Sequence, residues 1–471
     1  MARNLNDVQD LLDLANEDPA LYNSACHNAR IKPVYHPFWE AFPYGNIFIA
    51  ITPDILHQGY QGIVKHLVIW LNDAFGPLEI DARCRMMPPN HNARIFSKGI
   101  TTLSRVSGKE HRDMCRILLG LVLDLPLPNG RSPVRLVRAV RTLLDFMYLA
   151  QYPVHTTHTL KFLDDALTRF HDNKAIFVEL GLFGTTDNYN TEQSERLHID
   201  FAKDAYRVTN HKDEYAQMTA WLERKEKILR LELMTKHPSR KAVTLSDLAL
   251  EYGAIDFADA LADFVILHNQ PNLHPTLAHK AANNLLIPFQ RLSVFHKIKF
   301  WNHDAFEREE GPDTLDAVHV RNARKDRQGR AVPGRFDTVL IDDGSAGPRG
   351  VTGLHVAQVH VVFELSENVV AELFDPTRLP PPQHFAYVEW FTPFPSAPDP
   401  DHGLYMIKHA MQNERRVASV VPVECIRRSC HLYPRFGPPA PRHWSSFNVL
   451  QECSVFYVNP FLDRHTEMTV Y

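Results

Sequence analysis

The spacing of apolar residues changes near residue 307, and this change constrains the fold more than any other feature of the chain. Before it, apolar residues recur every three to four positions, which predicts successive helices. The clearest helical segments are 117–123, 136–149 and 159–170. After it, apolar and polar residues alternate in short runs, and proline clusters separate some of them. These runs are 338–341, 356–363, 386–391, 417–423 and 454–458. We therefore predict a small C-terminal β-barrel or sandwich.

The same change in composition sets the predicted domain boundaries. Residues 307–335 are rich in arginine and turn formers, which is typical of a linker or exposed loop. We predict a multidomain protein with an α/β part followed by an all-β part. Its segments are a polar N-terminal remnant (1–35), a core with a helical insertion (36–235, the insertion at about 60–182), a helical segment (236–306), the basic linker (307–335) and a β-rich domain (336–471).

The balance of charges limits the partners of the chain. Its formal net charge is -4 over 471 residues, which excludes a uniformly basic nucleic-acid binder but leaves room for a local basic patch. Six scattered cysteines without a CxxC pair predict reduced thiols rather than disulfides or a zinc site. There is no secretory signal pattern, and no apolar run approaches the roughly 18 residues of a membrane span. We predict a soluble intracellular protein with no membrane contact.

A local basic patch is predicted between residues 94 and 141. Ten lysines and arginines lie there against three acids, Glu110, Asp113 and Asp124. Such cations could contact nucleic-acid phosphates, or they could form an ordinary solvated helix face. The candidate nucleic-acid contacts are Arg94, Lys98, Arg105, Lys109, Arg112, Arg135, Arg138 and Arg141.

Two pairs of carboxylate and histidine are candidates for catalysis. Asp54 and His57 stand where an apolar run at 46–51, a predicted strand, meets a predicted helix. Residues three apart project from the same side of a helical turn, and strand ends often carry catalytic carboxylates. Glu195 and His198 have the same spacing in a second predicted helix at 191–208. The structural alternative is that Asp54 caps its helix and the glutamate faces a helix dipole.

Three segments carry a resemblance to a known family. They read PDILHQGYQGIVKHLVIWL (53–71), VRAVRTLLDFMYLAQYPVHTTHTL (137–160) and GTTDNYNTEQSERLHIDFAKDAYRVTNHKDEYAQMTAWLERKEKI (184–228). The chain resembles Plavaka transposases, a group of the Kyakuja-Dileera-Zisupton superfamily of fungal transposable elements. The similarity extends from about residue 36 to the end of the chain.

The resemblance implies an RNase H-like core, interrupted by a helical insertion, that carries a DDE carboxylate triad. Asp54 and His57 match the Asp-x-x-His motif of the family. Glu195, followed by its helical neighbour His198, matches the catalytic glutamate, with Glu192 as the alternative. Asp54 and Glu195 would then bind Mg²⁺ or Mn²⁺, which assists in-line displacement at phosphorus. The implied partner is DNA at transposon ends, and the implied location is the nucleus.

The chain also departs from the family pattern. The first catalytic aspartate of the family lies well upstream of 53–58, and a further stretch is missing between Leu182 and Phe183. We therefore expect an incomplete core and a transposase remnant without strand transfer, in which no metal need bind. The alternatives are a non-catalytic DNA- or chromatin-binding protein, and an active nuclease whose first carboxylate comes from elsewhere, such as Asp81.

The predicted β domain has a faint resemblance to bromo-adjacent-homology barrels, through AYVEWF (386–391), PVECIRRSCHLYPRF (422–436) and VFYVNPF (455–461). That resemblance implies contact with chromatin or another protein. An exposed aromatic groove near Trp390 and Phe391 would favour this role. The alternative is a β domain that packs on the core.

Overall fold

The structure is a computed structural model, and it describes residues 5–29, 33–35, 37, 55–152, 154–180, 238–302, 314–347, 349–463, 466–467 and 470. The chain divides into two compact units, Met1–Gly59 and Tyr60–Tyr471. The predicted strand at 46–51 and the predicted helix at 191–208 lie outside the described residues.

The first unit contains a pair of helices, α1 (Leu5–Glu17) and α2 (Pro19–Asn28). Asp18 caps α2, because its side chain accepts hydrogen bonds from the backbone N–H groups of Ala20 and Leu21 at 3.0 and 3.1 Å. A small apolar core joins the two helices. Its buried members are Val8, Leu12, Ala15, Tyr22 and Cys26.

Helices dominate residues 55–180. A π-helix at Ile55–Val64 leads into α3. The α-helices are α3 (Lys65–Phe75), α4 (Pro77–Met86), α5 (Gly108–Val122), α6 (Val134–Leu149), α7 (Thr157–Asn173) and α8 (Ala175–Glu179). Helix α5 begins with a capping box, in which Ser107 accepts from the N–H of Glu110 at 3.2 Å and Glu110 accepts from the N–H of Ser107 at 2.9 Å.

Residues 238–302 mix helices and strands. The helices are α9 (Leu245–Tyr252), α10 (Phe257–Asn269) and α11 (Pro275–Ala282). The strands are β1 (Arg240–Thr244), β2 (Arg291–Val294) and β3 (Lys297–Asn302).

The remaining chain is mostly β. The strands up to residue 364 are β4 (Thr314–Arg321), β5 (Arg324–Lys325), β6 (Ala331–Val332), β7 (Arg335–Phe336), β8 (Thr338–Asp342) and β9 (Leu354–Glu364). Those that follow are β10 (Phe385–Trp390), β11 (Met406–Lys408), β12 (Met411–Gln412), β13 (Arg415–Arg416), β14 (Ala418–Pro422), β15 (Ile426–Cys430), β16 (Leu432–Pro434) and β17 (Val455–Val458). Short helices α12 (Glu367–Leu373) and α13 (Val449–Glu452) lie between them.

A seven-stranded antiparallel sheet organises the β part. Its main order is β1-β2-β9-β10-β14, and β8 joins β9 to β15. The central strand β9 is almost wholly buried, because apolar clusters cover both of its faces. Val361 and Phe363 pack towards helices α9 and α10, whereas Ala357 and Val359 pack towards β4 and β8. Helices on one face and strands on the other explain its nearly continuous apolar sequence.

Two smaller sheets adjoin the large one. Strands β11, β17 and β16 form one, and β3, β4 and β7 form the other. An apolar cluster with Leu340, Val356, Ile407, Leu432 and Phe456 ties the first small sheet to the large sheet. Among the described strands no sheet closes into a barrel, so the barrel alternative is not what this structure shows. The RNase H-like core remains a prediction.

The predicted boundaries between 236 and 336 differ from the structure. Strand β4 lies inside the predicted linker, and its Ala317, Val318 and Val320 are fully buried. Strands β1 and β2 lie in the predicted helical segment, yet they extend the same sheet as β9. The structure differs from the linker prediction there, because the arginines nearby obscured a short apolar run, residues 315–320.

Helices α4 and α5 pack directly on the β part through buried polar contacts. Asn459 donates to the carbonyl of Arg116 at 2.8 Å and to His431 Nδ1 at 2.9 Å, and Tyr433 donates to the same carbonyl at 2.7 Å. A Cβ on Gly120 would lie 2.5 Å from the ring of Tyr433, so only glycine allows this approach. The helices and the β strands of residues 60–471 therefore share one interior.

Candidate functional site

The candidate catalytic residues are only partly placed by the structure. His57 lies in the first turn of the π-helix Ile55–Val64 and is half-buried. Asp54, Glu192, Glu195 and His198 lie outside the described residues. The convergence of Asp54 with Glu195, and their binding of Mg²⁺ or Mn²⁺, therefore remain predictions. Within the part of the chain that the structure describes, no group of three or more His, Cys, Asp or Glu side chains could hold a metal ion.

The candidate nucleic-acid contacts separate into two classes. Arg135 and Arg138 on α6 are bound to acids that lie far away in the sequence. Arg135 donates to Glu179 at 2.8 Å, and Arg138 donates to Asp401 at 2.8 Å. Both pairs are on the surface, where side chains are more than two-fifths exposed. A phosphate would have to compete with these carboxylates, so the two arginines are less available to DNA than cations without an acidic partner.

Arg141 is a structural residue, and its prediction as a nucleic-acid contact was wrong. It is 6% exposed and donates to Asp145 at 2.7 Å and to the backbone carbonyls of His402 and Gly403 at 2.9 and 3.0 Å. Its guanidinium also lies over the ring of Phe461, 5.1 Å from the centroid. Basic residues at this spacing on a helix do not reveal which of them faces the interior.

Arg94 is engaged as well, although it is exposed. It donates to Glu110 at 2.7 Å and lies over the ring of Phe96. The other two acids of this stretch are also bound, since Asp113 accepts from Arg116 at 2.9 Å and Asp124 lies 3.6 Å from Arg435. The three acids between residues 94 and 141 are thus already paired.

Four cations are left over, and we call them the α5 patch: Lys98, Arg105, Lys109 and Arg112. All four are exposed, and none forms an ion pair with a described residue. Lys109 and Arg112 stand three positions apart on α5 and therefore share one face of the helix. Lys98 and Arg105 lie in the loop that leads to this helix. Arg105 has a positive φ of 55°, which is uncommon for a residue other than glycine.

The opposite face of α5 is apolar and buried. Met114, Cys115, Leu118 and Leu121 are at most 1% exposed. His111 is buried with them, and burial lowers its pKa to about 4. Helix α5 therefore presents a neutral face to the interior and a basic face to solvent.

A buried carboxylate near the end of the chain has the perturbed acidity that active sites often show. Glu467 is fully buried and accepts a hydrogen bond from the hydroxyl of Tyr152. Burial raises its pKa to about 7, and burial also raises the pKa of Asp145 nearby. Asp145 is itself bound by Arg141 of α6. Glu467, Tyr152, Asp145 and Arg141 therefore belong to the buried interior that joins α6 to the C-terminal segment.

The side chains of Trp390 and Phe391 do not form the exposed aromatic groove that would favour a role in contacting chromatin or another protein. Phe391 is 4% exposed and packs in the apolar cluster with Phe456. Trp390 is half-buried, and its indole N–H donates to Ser419 at 2.9 Å. The burial of Phe391 and the hydrogen bond of Trp390 are consistent with the alternative, a β domain that packs on the core. All six cysteines are free thiols, as the sequence predicted.

Sequence reasoning missed a second basic surface. It lies on strands β4 to β7, in the stretch that was predicted to be a linker. The sequence shows these arginines but not the strands that carry them, and the apolar run 315–320 is the signal that could have placed them on a β-hairpin.

Comparisons with known proteins give two family matches. Residues 1–71 match the family of Plavaka transposases, and residues 229–403 match a domain of unknown function, DUF6830. No curated protein and no solved structure matches the chain. None of the helices in the described residues is long and apolar enough to cross a membrane. The match over residues 1–71 supports the interpretation that this chain derives from a Plavaka transposase.

Proposed function

We propose that this chain is a DNA-binding protein derived from a Plavaka transposase and that the α5 patch supplies contacts with DNA phosphates. The observation that carries the proposal is that Lys98, Arg105, Lys109 and Arg112 are exposed without an acidic partner among the described residues. The family match over residues 1–71 supports DNA as the partner, because a transposase acts on DNA.

The physical basis is the release of counterions from DNA. Duplex DNA carries one negative charge about every 1.7 Å along its axis, and each cation that neutralises a phosphate releases condensed salt ions. Cations that are already paired with carboxylates, as on α6, release fewer counterions when they bind DNA, so they gain less binding free energy. Arginine also offers several N–H donors that fit phosphate oxygens. These contacts need no base recognition, so we expect DNA binding with weak sequence preference.

The test is a fluorescence anisotropy titration of the full chain with a labelled DNA duplex at several salt concentrations. Replacing Lys98, Arg105, Lys109 and Arg112 with glutamine should weaken binding at least about tenfold near 0.1 M salt. The slope of log K against log salt should fall by up to about 3.6, since each phosphate contact contributes about 0.9. Unchanged affinity and slope would show that the α5 patch does not contact DNA.

The second candidate function is metal-dependent cleavage of DNA. One observation favours it: the family match includes Asp54 and His57. Glu195 would complete the carboxylate pair, with Glu192 and His198 beside it, and Mg²⁺ or Mn²⁺ would supply charge stabilisation at phosphorus. In a nicking assay on supercoiled DNA, this function predicts activity that needs the metal and disappears in Asp54→Asn and Glu195→Gln. Activity that persists in both variants would exclude these residues.

A further inference from the structure

The segment from β4 to β7, residues 314–336, forms one β-hairpin, which we call the basic ribbon. Up to His319 its strand β4 pairs with β3, and from Val320 onward the hairpin is two-stranded. β4 pairs with β7 through Val320 and Phe336, and β5 pairs with β6 through Arg324 and Val332. The chain turns back at residues 326–330. The basic ribbon lies inside the segment that matches DUF6830, far along the chain from the α5 patch.

The base of the basic ribbon is firmly held. Asp316 on β4 is fully buried and accepts from the N–H and hydroxyl of Ser429 at 2.7 and 2.8 Å. It also accepts from the side-chain amide of Asn92 at 3.2 Å. These bonds fix β4 against β15 and against the loop before α5.

The tip of the basic ribbon is a defined turn. Asp326 accepts from the backbone N–H groups of Gln328 and Arg330 at 2.8 and 2.9 Å, and from the Arg330 side chain at 2.7 Å. Gly329 has a φ of 78°, which suits glycine in a tight turn. The one acid of the tip therefore shapes the turn and pairs with Arg330, and it forms no ion pair with Arg324, Lys325 or Arg327.

Three of those cations are Arg324, Lys325 and Arg327. They are exposed and form no ion pair with the residues that the structure describes. Among the exposed residues of 323–331 there is no large apolar side chain. A protein partner usually needs an apolar or aromatic centre in the interface, so this surface is better suited to a polyanion.

Two arginines of like charge face each other across the basic ribbon, just before its tip. Arg321 on β4 stands directly opposite Arg335 on β7, and like charges at such positions destabilise a sheet. Asp337 offsets one of them, because it accepts from Arg335 at 2.7 and 3.0 Å. Burial, followed by the charges of Arg324 and Arg335, lowers the pKa of Arg321. An anionic partner would relieve this repulsion.

We propose that the basic ribbon is a second DNA-binding element, which lies along duplex DNA and binds its phosphates through Arg324, Lys325 and Arg327. A two-stranded ribbon is narrow enough to enter the major groove of B-DNA. The inference rests on the proposed DNA-binding function, and it assigns a role to the DUF6830 segment that is independent of the α5 patch.

The experiment compares two triple variants of the full chain. The first is Arg324→Gln, Lys325→Gln and Arg327→Gln, which leaves Asp326 and Arg330 to form the turn. The matched control is Lys280→Gln, Arg378→Gln and Arg442→Gln, which removes three other exposed cations. Each protein is titrated with a labelled DNA duplex between about 50 and 200 mM salt. Circular dichroism verifies that each is folded.

We expect the ribbon variant to bind at least about tenfold more weakly near 0.1 M salt, with the slope of log K against log salt reduced by about 2.7. The control should retain the affinity and slope of the original chain. If the original chain binds DNA and the ribbon variant matches the control, the ribbon inference is overturned while the α5 patch stands. If the original chain does not bind DNA even at low salt, both proposals fail. If polyglutamate of similar charge competes as well as duplex DNA, the preference for DNA is wrong.

Discussion

Helices α5 and α6 show how differently two basic helices can use their charges. They are of similar length, with 15 and 16 residues, and each has three lysines and arginines. On α6, Arg135, Arg138 and Arg141 all bind carboxylates. On α5 only Arg116 does so, and Lys109 and Arg112 have no acidic partner among the described residues.

The difference arises from residues that are distant in sequence. The partners of Arg135 and Arg138 lie 44 and 263 positions away. A count of basic residues along the chain therefore cannot separate cations that hold the fold together from cations that are available to a ligand. Only the tertiary structure supplies the missing acids, and four predictions follow from this contrast.

The largest effect is expected for the buried arginine of α6. Replacing Arg141 with methionine removes the charge that Asp145 binds inside the protein, and breaking a buried pair in this way costs about 3–5 kcal/mol. Urea unfolding measures this loss. The matched variant Arg112→Met, on the exposed face of α5, should change stability by no more than about 0.5 kcal/mol. Equal effects in the two variants would contradict the division into structural and available cations.

A slightly smaller effect is expected from the buried face of α5. His111 has a pKa of about 4 in the folded protein, well below the ordinary value of 6.5. The unfolded state therefore takes up a proton at a higher pH than the folded state does. As a result, His111 does not lower the free energy of unfolding above pH 6.5, and this free energy falls as the pH drops from 6.5 towards 4. The shift corresponds to about 3 kcal/mol.

The variant His111→Leu isolates this contribution. Its free energy of unfolding, compared with that of the original chain from pH 4 to 7, should depend less steeply on pH. The comparison is needed because Glu467, whose pKa is raised to about 7, acts in the opposite direction: its contribution is present below pH 4.5 and is lost as the pH rises to 7. Parallel curves for the two proteins would contradict the assignment to His111.

The surface pairs of α6 should matter much less. Arg138→Gln removes an exposed ion pair with Asp401, which contributes about 0.2–1 kcal/mol. The loss should shrink at high salt, because exposed charges are screened. Thermal unfolding at low and high salt measures both effects, and a loss as large as that of Arg141→Met would contradict the distinction between surface and buried pairs.

An effect as small as that of Arg138→Gln, but of opposite sign, is expected on the basic ribbon. Arg321→Thr removes a like charge directly opposite Arg335, and threonine suits a strand. Stability should rise by about 0.2–1 kcal/mol. The same change at Arg335 removes the partner of Asp337 and should destabilise the protein, so Arg335→Thr is the control. Equal signs for the two changes would contradict a cost of repulsion at Arg321.

Local sequence patterns predicted the helices well in some places. The predicted helices 136–149 and 159–170 lie within the observed α6 and α7, whereas the predicted helix 117–123 covers only the second half of α5. Strand β9 was predicted at 356–363, within the observed Leu354–Glu364. These patterns succeed because the periodicity of a helix or strand is itself a local property.

Long-range pairing was not predictable in the same way. Strand β1 pairs with β2, and β2 pairs with β9. These contacts join residues about 50 and about 70 positions apart, as Arg240 with Val294 and Val294 with Phe363, and no local pattern encodes them. Arg141 fails as a predicted ligand for a similar reason, since the carbonyls of His402 and Gly403 that hold it lie more than 260 positions away. The carboxylate site is still less accessible to local reasoning, because it requires Asp54 to meet Glu195 across a long stretch of chain.

The most direct test of the account is the salt dependence of DNA binding for matched double variants of the two helices. Lys109→Gln with Arg112→Gln removes two available cations from α5, and Arg135→Gln with Arg138→Gln removes two paired cations from α6. We expect the α5 variant to lower the slope of log K against log salt by about 1.8, and the α6 variant to leave this slope unchanged. Equal losses in the two variants, or a loss confined to the α6 variant, would contradict the claim that unpaired cations on α5 bind DNA.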